Sequence, residues 1–290
     1  MISISAHYRQ CAFALRELCG KHNSPGEDKA NLSLAFLRHL LEHPLTAGMN
    51  LDDPATTHLR KQVIFSKPLL KAIYDEWYST LAKALPAGEG PVLELGSGAG
   101  YCEQFIPGLI TSEFLYCPSV RIRLDAQRLP FAGESLRAIV FTGVLHHIPD
   151  VRLFFSEAER CVRHGGKILM IEPWVTPWSR FAYKHLHHEP FSPEAKEWAF
   201  PSSGPLSGAN IGIPWIVFER DRRVFESEFP QLEIEKIRPF MPFTYIVSGG
   251  IATRNLLPAF TNGIWLGLEC ILDPWMSHLG MYAFISLRRR

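Results

Sequence analysis

Apolar residues recur three or four positions apart in three early stretches, Cys11 to His22, Leu32 to His43 and Pro68 to Leu85. That period predicts amphipathic helices, punctuated by Pro25-Gly26 and by Asp52-Asp53-Pro54. From Gly90 to about Pro173 the texture changes to short apolar runs alternating with helical stretches, the pattern of βαβ units in a parallel sheet. Strands are expected at Val92–Leu95, Leu109–Glu113, Val120–Leu124, Ala138–Thr142 and Ile168–Ile171. Helices are expected at Tyr101–Ile106 and Leu153–Arg163, the second stopped by Gly165-Gly166. Beyond Pro173 the chain carries six of its seven tryptophans and many prolines. Leu232–Ile237 and Met281–Leu287 read as further strands of the same sheet, and Trp174–Pro230 and Pro239–Gly280 as insertions around it.

Composition narrows the class. With 290 residues, 47% apolar and 20% charged, the chain can bury a substantial core and is neither disordered nor fibrous. Thirty Lys and Arg against 29 Asp and Glu leave no electrostatic footprint for nucleic acid or an anionic membrane. Six scattered cysteines without a C-x-x-C pair argue against a zinc knuckle or a redox dithiol and for free thiols in a reducing compartment. The first residues lack the basic start and apolar stretch of a signal peptide. The longest uncharged stretch, Trp198 to Phe218, is broken by three prolines and three glycines and cannot span a membrane. A cytoplasmic location is expected.

The most informative stretch is Pro91-Val92-Leu93-Glu94-Leu95-Gly96-Ser97-Gly98-Ala99-Gly100, a buried strand running into glycines at alternate positions. Glycines there let backbone approach a nucleotide closely. A dinucleotide fingerprint wants G-x-G-x-x-G, and Tyr101 stands where its third glycine belongs. Three further segments follow: Asp125-Ala126-Gln127-Arg128-Leu129-Pro130-Phe131, Gly143-Val144-Leu145-His146-His147-Ile148-Pro149-Asp150, and Arg163-His164-Gly165-Gly166-Lys167-Ile168.

Together these four motifs, in order over roughly 80 residues, resemble the class I S-adenosylmethionine-dependent methyltransferases, in particular the small-molecule branch called type 11. The resemblance implies an α/β, Rossmann-like fold with a mostly parallel seven-stranded sheet, a helical N-terminal region over 1–88, and a cofactor-binding domain over 89–290 whose insertions at about 174–230 and 239–280 cap the substrate. It implies S-adenosyl-L-methionine as cofactor. Glu94 would hold the methionine ammonium; Gly96, Ser97, Gly98 and Gly100 would make room for carboxylate and sugar. Glu113 would meet the ribose, although the helix that usually follows the second strand is missing before Val120. Asp125 and the backbone of Ala126 would address the adenine, and Thr142 or Gly143 would line the sulfonium. The ligand carries no phosphate, so acids at strand ends suit it.

His146 and His147 follow the fourth strand and are candidates for a general base, or else a structural pair shaping the pocket. His185-Leu186-His187-His188-Glu189 matches neither H-E-x-x-H nor H-x-x-x-H, so no metal site is predicted there; His188 and Glu189 are candidates for the substrate pocket or for surface packing. Trp174 and Tyr245 are further candidates for the pocket, with core packing as the alternative for the aromatics around them. The expected reaction is methyl transfer to an oxygen, nitrogen or carbon of a small or lipid-linked acceptor, by a monomer or homodimer that binds no nucleic acid, peripheral membrane contact remaining open. The alternatives are a non-catalytic S-adenosylmethionine-binding scaffold and, disfavoured by Tyr101, a dinucleotide-dependent oxidoreductase.

Overall fold

The computed structural model describes residues 43–290 apart from 46, 47, 51, 99, 187, 188, 202, 203 and 205–207. The predicted helix Cys11–His22, and Leu32–His43 except its last residue, lie outside the described residues.

Seven strands form one sheet: β1 (Val92–Glu94), β2 (Ile110–Glu113), β3 (Ile122–Arg123), β4 (Leu136–Thr142), β5 (Val162–Pro173), β6 (Leu232–Phe240) and β7 (Tyr282–Arg289). Their order is β3-β2-β1-β4-β5-β7-β6. β1 to β5 pair in parallel, while β7 runs antiparallel between β5 and β6. The order reverses between β1 and β4, the switch point outside whose carboxyl ends α/β sheets place ligands.

The sheet is apolar on both faces because its central strands alternate between two cores. Ile168 and Met170 of β5 and Ala283, Ile285 and Leu287 of β7 face one; Leu169, Ile171, Tyr282 and Phe284 face the other. The first core is closed by helix α3 (Val151–Cys161), which buries Val151, Phe154, Phe155, Ala158 and Cys161 at helical spacing. The Asp150 side chain starts that helix by accepting from Arg152 N at 2.9 Å. The second core is closed by α1 (Pro54–Ser66) and α2 (Pro68–Ala84), through Val63, Ile64, Leu70, Ile73, Trp77 and Leu81. Burying each large side chain contributes about 1.5–3 kcal/mol before entropy is counted. Later helices are α4 (Pro177–Leu186), α5 (Arg222–Glu228), α6 (Thr244–Val247), α7 (Asn262–Ile271) and α8 (Met276–Leu279).

Three expectations are corrected. Tyr101–Ile106 is not a helix but a short 3-10 turn, Cys102–Gln104. Tyr101 is the reason: its ring packs on Phe65, Tyr78 and Phe105, and its hydroxyl donates to Asp75 Oδ1 at 2.9 Å, so the chain is clamped onto α2 before a helix can propagate. Gly165-Gly166 does not stop a helix, because α3 ends at Cys161 and both glycines lie inside β5, where a Cβ on Gly166 would meet Arg137 O at 2.7 Å. Asp52-Asp53-Pro54 is less a break than a start: the Asp53 carboxylate accepts from Ala55 N, Pro54 opens α1, and α1 itself was not predicted.

Candidate active site

The glycine loop leaves β1 at the switch point, and three tight approaches explain its composition. Gly96 has φ +63°, and a Cβ there would lie 2.5 Å from Val144 Cγ2. At Gly98 a Cβ would meet Glu113 Oε2 at 2.7 Å and Thr57 Cγ2 at 2.8 Å; at Gly100 it would overlap the Tyr78 hydroxyl. Ser97 fixes the loop to β2, its N donating to Ser112 O and its Oγ accepting from Ser112 N.

Around this cradle stand the predicted acids. Glu94 ends β1, is 4% exposed, and its Oε2 has no hydrogen-bond partner. Burial pushes its carboxyl up to about 8. Glu113 ends β2 and reaches back, Oε2 accepting from Gly98 N at 3.1 Å and Oε1 from Phe114 N at 2.8 Å. Burial raises its pKa too, opposed by these N–H groups. Asp125 accepts from Gln127 N at 2.9 Å, and Gln127 in turn receives Asp150 N, so two motifs distant in sequence are tied into one rim. Ala126 packs at the edge of the first core. Glu157 of α3 accepts from Leu129 N, and Arg160 donates to Leu129 O and Phe131 O, holding the intervening loop. Thr142 ends β4; Gly143 has φ +63°, its N donates to Ile171 O, and a Cβ there would lie 3.7 Å from His146 Cε1.

Beyond Gly143 the chain turns sharply and presents two imidazoles with ring centroids 4.2 Å apart. His146 is buried, with Nδ1 2.7 Å from Glu172 Oε2, while Glu172 Oε1 accepts from Val144 N and Leu145 N. Its Nε2 faces Glu189 Oε2 at 3.5 Å. Burial alone would depress this imidazole, but Glu172 and Glu189 outweigh it and hold it up to about 9. His147 Nδ1 lies 3.2 Å from Gly208 O, and burial with the neighbouring His146 charge holds this ring down to about 4. Tyr245 stacks on Trp77 at 5.9 Å and packs on Tyr282, close enough to Glu189 to feel its charge. Arg60 of α1 acts electrostatically on Glu113, His147 and Tyr245.

One member of the expected pocket, Trp174, sits in the first core, its N donating to Met281 O. His188 lies outside the described residues. Sequence reasoning missed Glu172, Thr57, Arg60 and Tyr78. Only Glu172 carried a usable signal, an acid just past the predicted strand Ile168–Ile171; the other three come from helices whose docking no local pattern reveals.

Residues 111–170 match the family described as "Methyltransferase domain". That match spans β2 to β5. S-adenosylmethionine is the cofactor of that family, and the loop fits it: a buried carboxylate with one unpartnered oxygen suits an ammonium, and among the described residues no phosphate-binding helix N-terminus follows the glycines. In chain path the sheet and helices of this chain are similar to geranyl diphosphate C-methyltransferase of Streptomyces coelicolor (15% identity, TM-score 0.46, covering 86% of this chain and 92% of that one). They are similar also to the YcgJ protein of Bacillus subtilis (13%, 0.44, 74% and 99%) and to a SAM-dependent methyltransferase of Thermotoga maritima (11%, 0.45, 80% and 99%). No curated protein matches the chain in sequence.

Proposed function

We propose that the protein is a working S-adenosylmethionine-dependent methyltransferase that modifies an oxygen, nitrogen or carbon atom of a small or lipid-linked acceptor. The observation that carries this reading is the buried Glu94 carboxylate, whose Oε2 has no hydrogen-bond partner, beside a glycine cradle with no room for a side chain. A buried acid in that condition costs stability unless a cation meets it.

In this reading Glu94 receives the methionine ammonium, Glu113 the ribose hydroxyls, and Asp125 with the Ala126 backbone the adenine amino group. Thr142 and Gly143 line the sulfonium side, so an acceptor sits over His146, His147, Glu189 and Tyr245. The bound cofactor supplies an electrophilic methyl group on sulfur. The residues align the acceptor lone pair with it, and orientation supplies most of the rate. His146, paired with Glu172 and held near 9, keeps its proton at neutral pH. The acceptor's proton therefore passes to the neutral ring of His147.

Calorimetric titration with S-adenosylmethionine and S-adenosylhomocysteine, with NADH as control, tests the cofactor end. Micromolar binding of the first two and none of NADH is expected, with affinity at least tenfold weaker in Gly98→Ala, whose Cβ would meet Glu113 and Thr57. Isotopic methyl transfer to an acceptor panel then tests activity. Tight cofactor binding with no transfer to any acceptor would favour a scaffold protein.

A further inference from the structure

The His146, His147 and Glu189 side chains do more than line a pocket. One ligand atom from each lies within 4.8 Å of the other two. Both imidazoles are oriented alike: each Nδ1 faces a fixed acceptor, Glu172 Oε2 for His146 and Gly208 O for His147. Each ring thus offers Nε2 toward the shared space. A histidine whose far nitrogen is tied to a carboxylate or a backbone carbonyl is the outer-shell arrangement that metal-ligating histidines use. Glu172 is itself fixed by two backbone N–H groups, so the His146 ring cannot swing away.

The spacing agrees. His146 Nε2 and Glu189 Oε2 stand 3.5 Å apart, long for a charged hydrogen bond. Ligand bonds of about 2.0–2.2 Å at a tetrahedral angle place two ligand atoms about 3.4 Å apart. Glu189 comes from the His-rich segment in which spacing alone predicted no metal. Its partners are supplied by the β4 rim, more than forty residues earlier.

We propose that His146 Nε2, His147 Nε2 and Glu189 bind a divalent transition-metal ion of the zinc class, with a fourth position open to a heteroatom of the acceptor. Two imidazoles and one carboxylate favour such borderline cations over magnesium or calcium, which prefer all-oxygen shells. The open position is what separates a three-ligand reactive site from a closed structural one. The role of that position rests on the proposed function, because it assumes the acceptor binds there. The ion takes the place of the Nε2 proton of His146, which is released to water, and it commits the His147 lone pair; an acceptor hydroxyl or amine bound at the open position then releases its proton to water, whereas in the metal-free protein it passes to His147.

The test is titration of the chelator-stripped full chain with Co²⁺, followed by visible ligand-field absorption and by competition with Zn²⁺ and Mg²⁺. The Cys270→Ser background removes the one thiol that is exposed among the described residues as a rival ligand. Expected is one saturable cobalt per chain with a four-coordinate spectrum, displaced by Zn²⁺ and not by Mg²⁺. Affinity should fall at least tenfold in Glu189→Gln and in His147→Ala, and about 10–100-fold in Glu172→Gln, which touches only the outer shell. S-adenosylhomocysteine titration of each variant shows that the fold survives. Absence of saturable cobalt binding, or affinity unmoved by Glu189→Gln and His147→Ala, overturns the metal site while leaving methyl transfer standing. Cobalt binding in a chain that takes no S-adenosylhomocysteine overturns the proposed function instead.

Discussion

At the scale of single residues, Glu94 and His146 hold protons in opposite conditions. Glu94 is raised by burial to about 8, so at pH 7 it is largely protonated before any cation arrives. An ammonium arriving there returns it to the carboxylate. Binding of S-adenosylmethionine at pH 7 is therefore expected to release a fraction of a proton, seen as a dependence of the calorimetric enthalpy on the buffer's ionisation heat. Glu94→Gln should remove that dependence and weaken binding. His146 is the converse case, a cation favoured by its pairing with Glu172 and Glu189. Its folded pKa is raised above the ordinary 6.5 to about 9, so the stabilisation is fully present below pH 6.5 and lost as pH rises through 9. Urea midpoints should decline over that window, and the decline should be smaller in His146→Gln. Glu172→Ala leaves a buried charge unpaired and should cost about 3–5 kcal/mol at neutral pH.

At the scale of elements, legibility followed locality. The central strands were visible because β4, the second half of β5 and β7 are nearly continuous apolar runs buried on both faces, and β6 because apolar and charged residues alternate along it. The glycine loop was visible because its spacing is set at the end of β1, and the three acids because each stands at or just past the end of its own strand. What stayed hidden depends on partners far away. The failure of Tyr101–Ile106 as a helix depends on α2, which receives the Tyr101 ring. The pairing of His146 with Glu172 and Glu189 joins three segments that only the fold brings together. Helix α1 was overlooked because Asp-Pro reads as a break, whereas Asp53 caps it and Pro54 fits its first turn. Asp53→Ala should cost about 1 kcal/mol in thermal unfolding. Because α1 carries Thr57 against the Gly98 loop, the same change should also weaken cofactor binding, which calorimetry measures.

At the scale of the molecule, the stable mass lies around β4, β5 and β7. Phe155 sits among Phe154, Phe218, Phe225 and Phe229 in the first core, and Phe155→Ala should destabilise by about 3–5 kcal/mol in urea. Helix α7 is the opposite extreme: mostly apolar, yet none of its residues is buried, with Ile264 67% and Ile271 70% exposed. Replacing both by Glu should change stability by less than about 0.5 kcal/mol, while light scattering should report less self-association. Among the described residues no helix is long and apolar enough to cross a membrane.

The direct crossing from β2 to β3 has a consequence for motion. Without a helix the passage spans only residues 114–121, leaves Phe114 and Tyr116 open to solvent, and hangs a two-residue edge strand on β2 by few hydrogen bonds. Segments with few buried contacts open at low free energy, well below global unfolding. Deuterium should therefore enter the amides of this edge before those of the central strands. Glu113 stands at its root, so if the proposed nucleoside contact is made there, adding S-adenosylhomocysteine should slow that exchange.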